Sequence, residues 1–363
     1  MSLHGLVPVM LLAAVMSVSA RAQDEQDSSR KDNFRYSLSA IEDFTVLGGT
    51  IAPTLESRFQ NRLLLEPSFT YLYNNRWTLS SKVVGESETN GDTHEHLLVR
   101  ETYAGLSVAD FDFTVGRRLV HWGTGYAFTA TGVLDPPLVA TDPTDRLNIR
   151  AGRDMVKVDW EKGPHAVSLA YATSGLSGSQ ATVKNTAAFR YNILVNGFDT
   201  SIIAGKDLAG DSFAGVTFTR VLGQAWELHG DAAWRQHAAI LIGGKYTARF
   251  GMTVIAELFS PPNIPYYRSE TLSPSAGRQS YTFLRVGKSR LRELPGWKEW
   301  DAYASVVSNL QDHSGVLVID VRRGFGNHFS SYVHMEGPFG SKRSEYGAIP
   351  YATTTSFGIR FQQ

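Results

Sequence analysis

The 363-residue chain has no cysteine. That excludes disulfide scaffolds, thiolate zinc sites, iron–sulfur ligation and cysteine nucleophiles. An excess of either charge is also missing, because 35 Lys and Arg balance 35 Asp and Glu. No basic block stands out, so nucleic acid bound through a bulk positive field is excluded as a partner. Charged residues reach only 19% of the chain, below the roughly 25% of ordinary soluble domains. Beyond the amino terminus no run approaches the roughly 18–20 continuous apolar residues of a membrane helix. A helical membrane protein is thereby excluded. A membrane barrel is not, since its strands need only about 9–11 residues and alternate their faces.

What is present begins with a short apolar run, Leu6 to Val18, followed by Ala20-Arg21-Ala22, which has the small-x-small form of a signal-peptidase site. Residues 1–22 read as a signal peptide, with the mature chain starting at Gln23. A short buried helix is the alternative, but the polar stretch 23–33 (QDEQDSSRKDN) gives it nothing to pack against and reads as a disordered polar terminus. Residues 34–363 read as one domain.

Period-two alternation runs through that domain. In Ala225–Arg235 one face carries Trp226, Leu228, Gly230, Ala232 and Trp234, while the other carries Glu227, His229, Asp231 and Arg235. Segment 152–160 sets Val156, Val158 and Trp160 against Arg153, Lys157 and Asp159, and 247–258 and 356–361 divide in the same way. Such segments are strands with one apolar and one wet face. Between runs lie pairs suited to tight hairpins: Asn74-Asn75, Lys162-Gly163, Asn196-Gly197 and Gly223-Gln224. Longer connections fall at 89–94, 120–151, 174–181, 260–278 and 337–351. Short turns on one rim and long loops on the other are expected of an outer-membrane barrel.

Candidate strands number 17, with 243–259 counted as one. A single-chain bacterial barrel needs an even number, so the expectation is about 16, with 14–18 as the range and 34–56 and 237–280 as the weakest regions. A soluble β-sandwich would bury its apolar faces against a second sheet, but it stops short of this length. The fold expected is therefore all-β: a transmembrane up-and-down antiparallel β-barrel, apolar toward lipid and polar toward a lumen.

The terminal run Thr353 to Phe361 resembles the last strand of Gram-negative outer-membrane barrels, although Gln362 and Gln363 follow the aromatic residue. A second run, Gly116-Arg117-Arg118 through Trp122-Gly123-Thr124-Gly125, precedes Asp135-Pro136-Pro137 and Asp142-Pro143-Thr144-Asp145. It is similar to a segment of porin-like outer-membrane barrels of undefined substrate. Asn309-Leu310-Gln311-Asp312 and Ser344-Glu345-Tyr346-Gly347 resemble loop and strand-end material of the same class. The resemblance implies the cell outer membrane as location and its lipid as solvent. It also implies assembly machinery that reads the last strand, a small-molecule solute, and a monomer or homo-oligomer. It implies no cofactor.

Candidate site residues follow from the alternation. Arg118, Arg153, Lys157, Asp159, Glu227, His229, Asp231, Arg235, Arg249 and Glu257 would point into the lumen, as would Lys184, Arg190, Asp320, Arg322 and Arg360. An Arg or Lys facing lipid at mid-depth costs roughly 2–4 kcal/mol. These side chains either line a mixed-charge channel or pair with one another in a plugged lumen. The 120–151 stretch is far longer than ordinary connections. With Asp142, Asp145 and Arg146 it either narrows the pore as a constriction or forms an extracellular cap.

Enzymatic and metal readings are weaker. Asn327-His328-Phe329-Ser330 resembles the His-x-Ser of barrel lipid A deacylases, though Ser331 stands where that motif has Asn. His94-Glu95-His96 offers two imidazoles without a placed third ligand, and Asp142 and Asp145 lack the oxygen density of a calcium loop. Gly116, Gly123 and Gly125 precede no helix that would aim its amino terminus at a phosphate. No catalytic residue and no metal is assigned. The expected function is passage of small solutes, with a lipid hydrolase and a non-conducting structural or assembly barrel as alternatives.

Overall fold

A computed structural model describes residues 33–49, 59–90, 92–136, 138–173, 185–207, 210–235, 237–260, 280–291 and 299–363. The proposed signal peptide, the polar stretch up to residue 32 and Lys184 lie outside these residues. Among the described residues there are 18 strands: β1 (Asn33–Gly48), β2 (Phe59–Tyr73), β3 (Trp77–Asn90), β4 (Asp92–Val108), β5 (Phe111–Arg118), β6 (Arg153–Lys162), β7 (His165–Ala172), β8 (Thr186–Val195) and β9 (Phe198–Asp207); then β10 (Ser212–Leu222), β11 (Trp226–Arg235), β12 (His237–Thr247), β13 (Met252–Ser260), β14 (Tyr281–Lys288), β15 (Trp300–Asn309), β16 (Ser314–Phe325), β17 (Phe329–Phe339) and β18 (Thr353–Gln362). Each pairs antiparallel with its sequence neighbours, and β1 also pairs with β18, from Ser39 opposite Gln362 to Gly48 opposite Thr353. The sheet is thus closed, which leaves no unpaired edge.

The expected count of about 16 is corrected to 18. The span 243–259 is two strands, β12 and β13, joined by a turn in which the Gly251 N–H donates to the Ala248 carbonyl at 2.8 Å. The apolar alternation of Ala248, Phe250 and Met252 runs straight through that turn, so side-chain pattern alone conceals it. Gly251 supplies φ 85°, a conformation costly for any residue with a Cβ. Arg249 accordingly sits exposed in the turn and not on a lumen wall. Likewise 89–94 is no long loop: β3 and β4 extend to Asn90 and Asp92, which pair with one another across the ladder.

The other hairpins follow the turn chemistry in the sequence. Asn74 and Asn75 have φ 52° and 54°, Asn196 and Gly197 have 50° and 77°, and Gly163 and Gly223 are also positive. These turns share one rim with the start of β1 and the end of β18.

Burial is inverted relative to a soluble domain. Leu169, Ile202, Trp234, Ile242, Leu258, Leu317 and Ile359 are exposed on the outside, while Asp231, His229, Glu257 and His334 are buried inside. Exposed Tyr73, Trp77, Phe111, Phe198, Trp226, Phe250, Phe325 and Phe329 gather beside the tight turns, where an aromatic girdle meets a membrane interface. A bulge opposite Lys82 and Val83 breaks the alternation of β4. It turns both Arg100 and Glu101 inward, where Arg100 bonds Glu66 and Glu101 bonds Lys82. The residues between β5 and β6 return into the lumen, burying Trp122, Ala127, Leu134 and Leu147 there.

Candidate functional site

The inserted segment between β5 and β6 is held to the wall by carboxylates that accept its backbone N–H groups. On β11, Asp231 takes the Thr124 N–H at 3.1 Å and the hydroxyls of Thr129 and Thr131 at 3.2 and 3.1 Å. On β13, Glu257 takes the Tyr126 N–H and, at 3.0 Å, the Ala127 N–H. His229 of β11, fully buried, approaches Glu257 at 3.1 Å through Nε2. Gly243 on β12 makes room for this ring, since a Cβ there would lie 2.3 Å from Nε2. The Tyr126 hydroxyl donates to Glu227 at 3.0 Å, and Lys245 donates to the same hydroxyl at 3.3 Å. Burial, seconded by Glu227, raises the Tyr126 phenol well above its usual range.

Within the segment, Asp135 accepts the Trp122 and Gly123 N–H groups at 2.8 and 3.2 Å and pairs with His121 Nδ1 at 2.9 Å. That hydrogen bond lifts the His121 pKa above the ordinary imidazole value. Arg153, buried at the start of β6, donates to the Val133 carbonyl at 3.0 Å.

The second half of the segment grips the opposite wall. Arg146 donates to Asp43 of β1 and, at 3.1 Å, to the Tyr332 hydroxyl of β17. Asp142 accepts the Arg146 N–H at 2.9 Å, and Asp145 lies 3.4 Å from Arg100. Arg360 of β18 donates to the Arg146 carbonyl. A second inward piece, 340–352, caps the other rim. Its Glu345 accepts the Tyr281 hydroxyl at 2.8 Å, and Tyr346, like Tyr126 and Phe128, packs against the buried cluster of Ala127, Ile255, Phe283 and Val307. Burial pushes the Glu345 carboxyl up.

A cavity of about 590 Å³ lies between the segment and the rim of tight turns, walled by β3 to β9. Leu119, Val120, His121 and Trp122 close it on the segment side. Arg118, Lys157, Arg190, Asp112, Asp159, Glu161 and Asp199 supply its charge, with Thr78, Ser107, Ser168 and Asn192 between them. Lys157 and Asp159 pair at 2.7 Å. Arg118 lies 5.0 Å over the Tyr103 ring and donates to Thr114 at 2.8 Å.

The sequence candidates therefore fall into distinct groups. Arg118, Lys157 and Asp159 line the cavity. Glu227, His229, Asp231, Glu257, Arg153, Asp142, Asp145 and Arg146 anchor the segment or belong to it. Arg235 bonds Asp207 at 2.6 Å, away from both. Asp43, Glu66, Arg100 and Tyr332 were not singled out from the sequence. Their inward parity on β1, β2, β4 and β17 was the available signal. His94 and His96 are exposed near the β3–β4 hairpin. His328 lies in the turn before β17 with Nδ1 3.0 Å from the Gln362 carbonyl, so it does not share a strand face with Ser330.

No protein-family model and no curated protein matches this chain. Solved structures do. OpdK of Pseudomonas aeruginosa, with vanillate, is similar over 91% of this chain and 98% of its own, at TM-score 0.61 and 9% identity. The fold is that of the porin-like outer-membrane barrels. A mutant porin of Rhodopseudomonas blastica matches over 91% of this chain and 100% of its own, at TM-score 0.50 and 10% identity. Wzi of Escherichia coli, described as an outer-membrane protein involved in group 1 capsule assembly and a carbohydrate-binding β-barrel, covers 90% of this chain and 83% of its own, at TM-score 0.56 and 10% identity.

Proposed function

We propose that the protein is an outer-membrane channel for small polar solutes, non-enzymatic, in which the inserted segment sets the constriction. The observation that carries this is the charged and hydroxyl-lined cavity inside a barrel whose outer face is apolar. Polar wall groups replace part of a solute's hydration, while the segment limits its size. The porin-like fold supports the reading, as does the exposed girdle that suits a membrane interface. In this reading β18 is also the strand read during assembly, and the chain is a monomer or homo-oligomer. Planar-bilayer recording of the refolded protein tests it, with heat-dependent gel mobility confirming the folded barrel. Discrete conductance that grows when 125–148 are deleted is expected.

A closed barrel that binds surface material is the second reading. It is favoured by Asp231 and Glu257, which tie the segment across the lumen from buried positions. Silence in bilayers both before and after the deletion would overturn the channel and leave this one.

A further inference from the structure

The charges of the cavity are sorted by height. β5 carries Asp112 beside the tight-turn rim and Arg118 at its opposite end, next to the inserted segment. β6 runs the other way and keeps the same order, with Lys157 on the segment side of Asp159 and Glu161. On β8 and β9 the order recurs: Arg190 faces Ile203 across the ladder, while Asp199 lies near the Asn196-Gly197 turn. Cations thus form a tier against the segment, and acids form a tier at the mouth.

Lys157 and Asp159 neutralise one another between the tiers. The outer members do not. Arg118 is met by the Thr114 hydroxyl and the Tyr103 ring, and Arg190 donates to the Ser201 hydroxyl at 2.9 Å. Asp112 accepts from Ser107, and Asp199 from Asn192. Among the described residues, none of these four has an opposite charge within the 4.0 Å of an ion pair.

We propose that this cavity is a site for a short zwitterionic peptide, its carboxylate toward Arg118 and Arg190 and its ammonium toward Asp112 and Asp199. A simple anion or cation meets one favourable tier and one repulsive tier, and a neutral polyol gains nothing from either. A zwitterion complements both. An α-amino acid is too short: β5 is 8 residues long, and at roughly 3.3 Å per residue its charged ends stand about 20 Å apart before the side chains lean inward. On β8 the ends are closer, since Asp199 pairs with Leu194, four residues or about 13 Å along the strand from Arg190. With the side chains leaning toward one another, a peptide of three or four residues, at about 3.6 Å each, spans that gap. A volume of about 590 Å³ lies within the roughly 300–1,000 Å³ of small-molecule sites.

The inference deepens the channel reading and rests on it for the route of entry. Four peptides of matched size test it in proteoliposomes: trialanine, N-acetyl-trialanine, trialanine amide and N-acetyl-trialanine amide. Trialanine should enter roughly tenfold faster than any capped form. Arg190→Gln should remove the discrimination against trialanine amide, and Asp199→Asn that against N-acetyl-trialanine. If either variant fails to fold by gel mobility, the comparison on the unaltered protein still decides. Equal uptake of all four, or fastest uptake of a capped form, overturns the peptide site and leaves the channel standing. If none enters, yet equilibrium dialysis finds trialanine bound to the detergent-solubilised barrel in preference to its capped forms, the site holds and the channel fails. Neither uptake nor binding overturns both.

Discussion

Asp231 of β11 and Thr124 of the inserted segment, 107 residues apart in sequence, meet inside the barrel at 3.1 Å, the carboxylate accepting the backbone N–H. Asp231 is buried and serves several donors of the segment at once. The carboxylate is what lets an irregular stretch sit in a closed lumen, because each buried N–H left without an acceptor costs about 1–3 kcal/mol.

Asp231→Asn should therefore loosen the segment without unfolding the barrel. The amide keeps one acceptor oxygen but turns an NH₂ toward groups that are themselves donors. Single-channel records should show larger and noisier conductance, while the temperature at which the folded gel band disappears barely moves. The strand ladder is untouched by the change. A trace indistinguishable from that of the unaltered protein would argue that the anchor is redundant.

Arg146 secures the other half of the segment, so its loss should act independently. One terminal nitrogen of Arg146 serves both Asp43 and Tyr332 while the guanidinium plane lies 5.1 Å over the Tyr332 ring, so Lys at this position retains charge but not the planar stacking. Arg146→Lys is expected to raise open-state noise partially and Arg146→Ala fully. Combined with Asp231→Asn, the effects on the open-state free energy should add to within about 0.5 kcal/mol, as distant sites without shared partners do. Strong coupling in that cycle would mean the segment moves as one rigid piece.

The wall was readable from the sequence where its two faces differ chemically, and elsewhere it was not. Along Ala225–Arg235 the alternation of Trp226, Leu228 and Trp234 with Glu227, Asp231 and Arg235 assigns every side chain to a face. Across 243–259 the same rule fails, because Ala248 and Phe250 continue the apolar period through a turn. The anchors were legible only as inward charges. No spacing rule links Asp231 to Thr124, since that contact exists only once the chain folds back into the lumen. Asp112 and Asp199 stayed hidden because they flank tight turns, where alternation has too few residues to register.

His121 makes the internal bracing of the segment pH-dependent. Its hydrogen bond to Asp135 raises its pKa above the ordinary 6.5, so the charged tether is complete below that value. It is lost as pH rises through the elevated folded-state pKa. Channel noise should accordingly increase as pH rises through that elevated value and stay flat below the ordinary 6.5 of an imidazole. His121→Gln should abolish the dependence and leave a constant, intermediate noise. The imidazole is half exposed, so the effect should shrink in high salt.

Glu42 breaks the pattern of the outer face. It lies mid-strand on β1, exposed, between Ala40 and Phe44, with Leu63 and Ile359 as its cross-strand neighbours. The other outward ionisable side chains among the described strands, such as Arg117, Lys206, Arg220, Lys288 and Arg323, stand near strand ends, where water or headgroups reach them. A carboxylate in the apolar band destabilises a barrel, though by less than the roughly 2–4 kcal/mol of Arg or Lys. Glu42→Leu is thus expected to raise the urea midpoint of unfolding from liposomes, by about 1 kcal/mol when converted through the m-value. Leu317→Glu, on another exposed outward position, on β16, should lower it. If Glu42→Leu instead weakens the barrel, the carboxylate is bonded to something at the lipid face, and the apolar band is interrupted there for a reason other than tolerance.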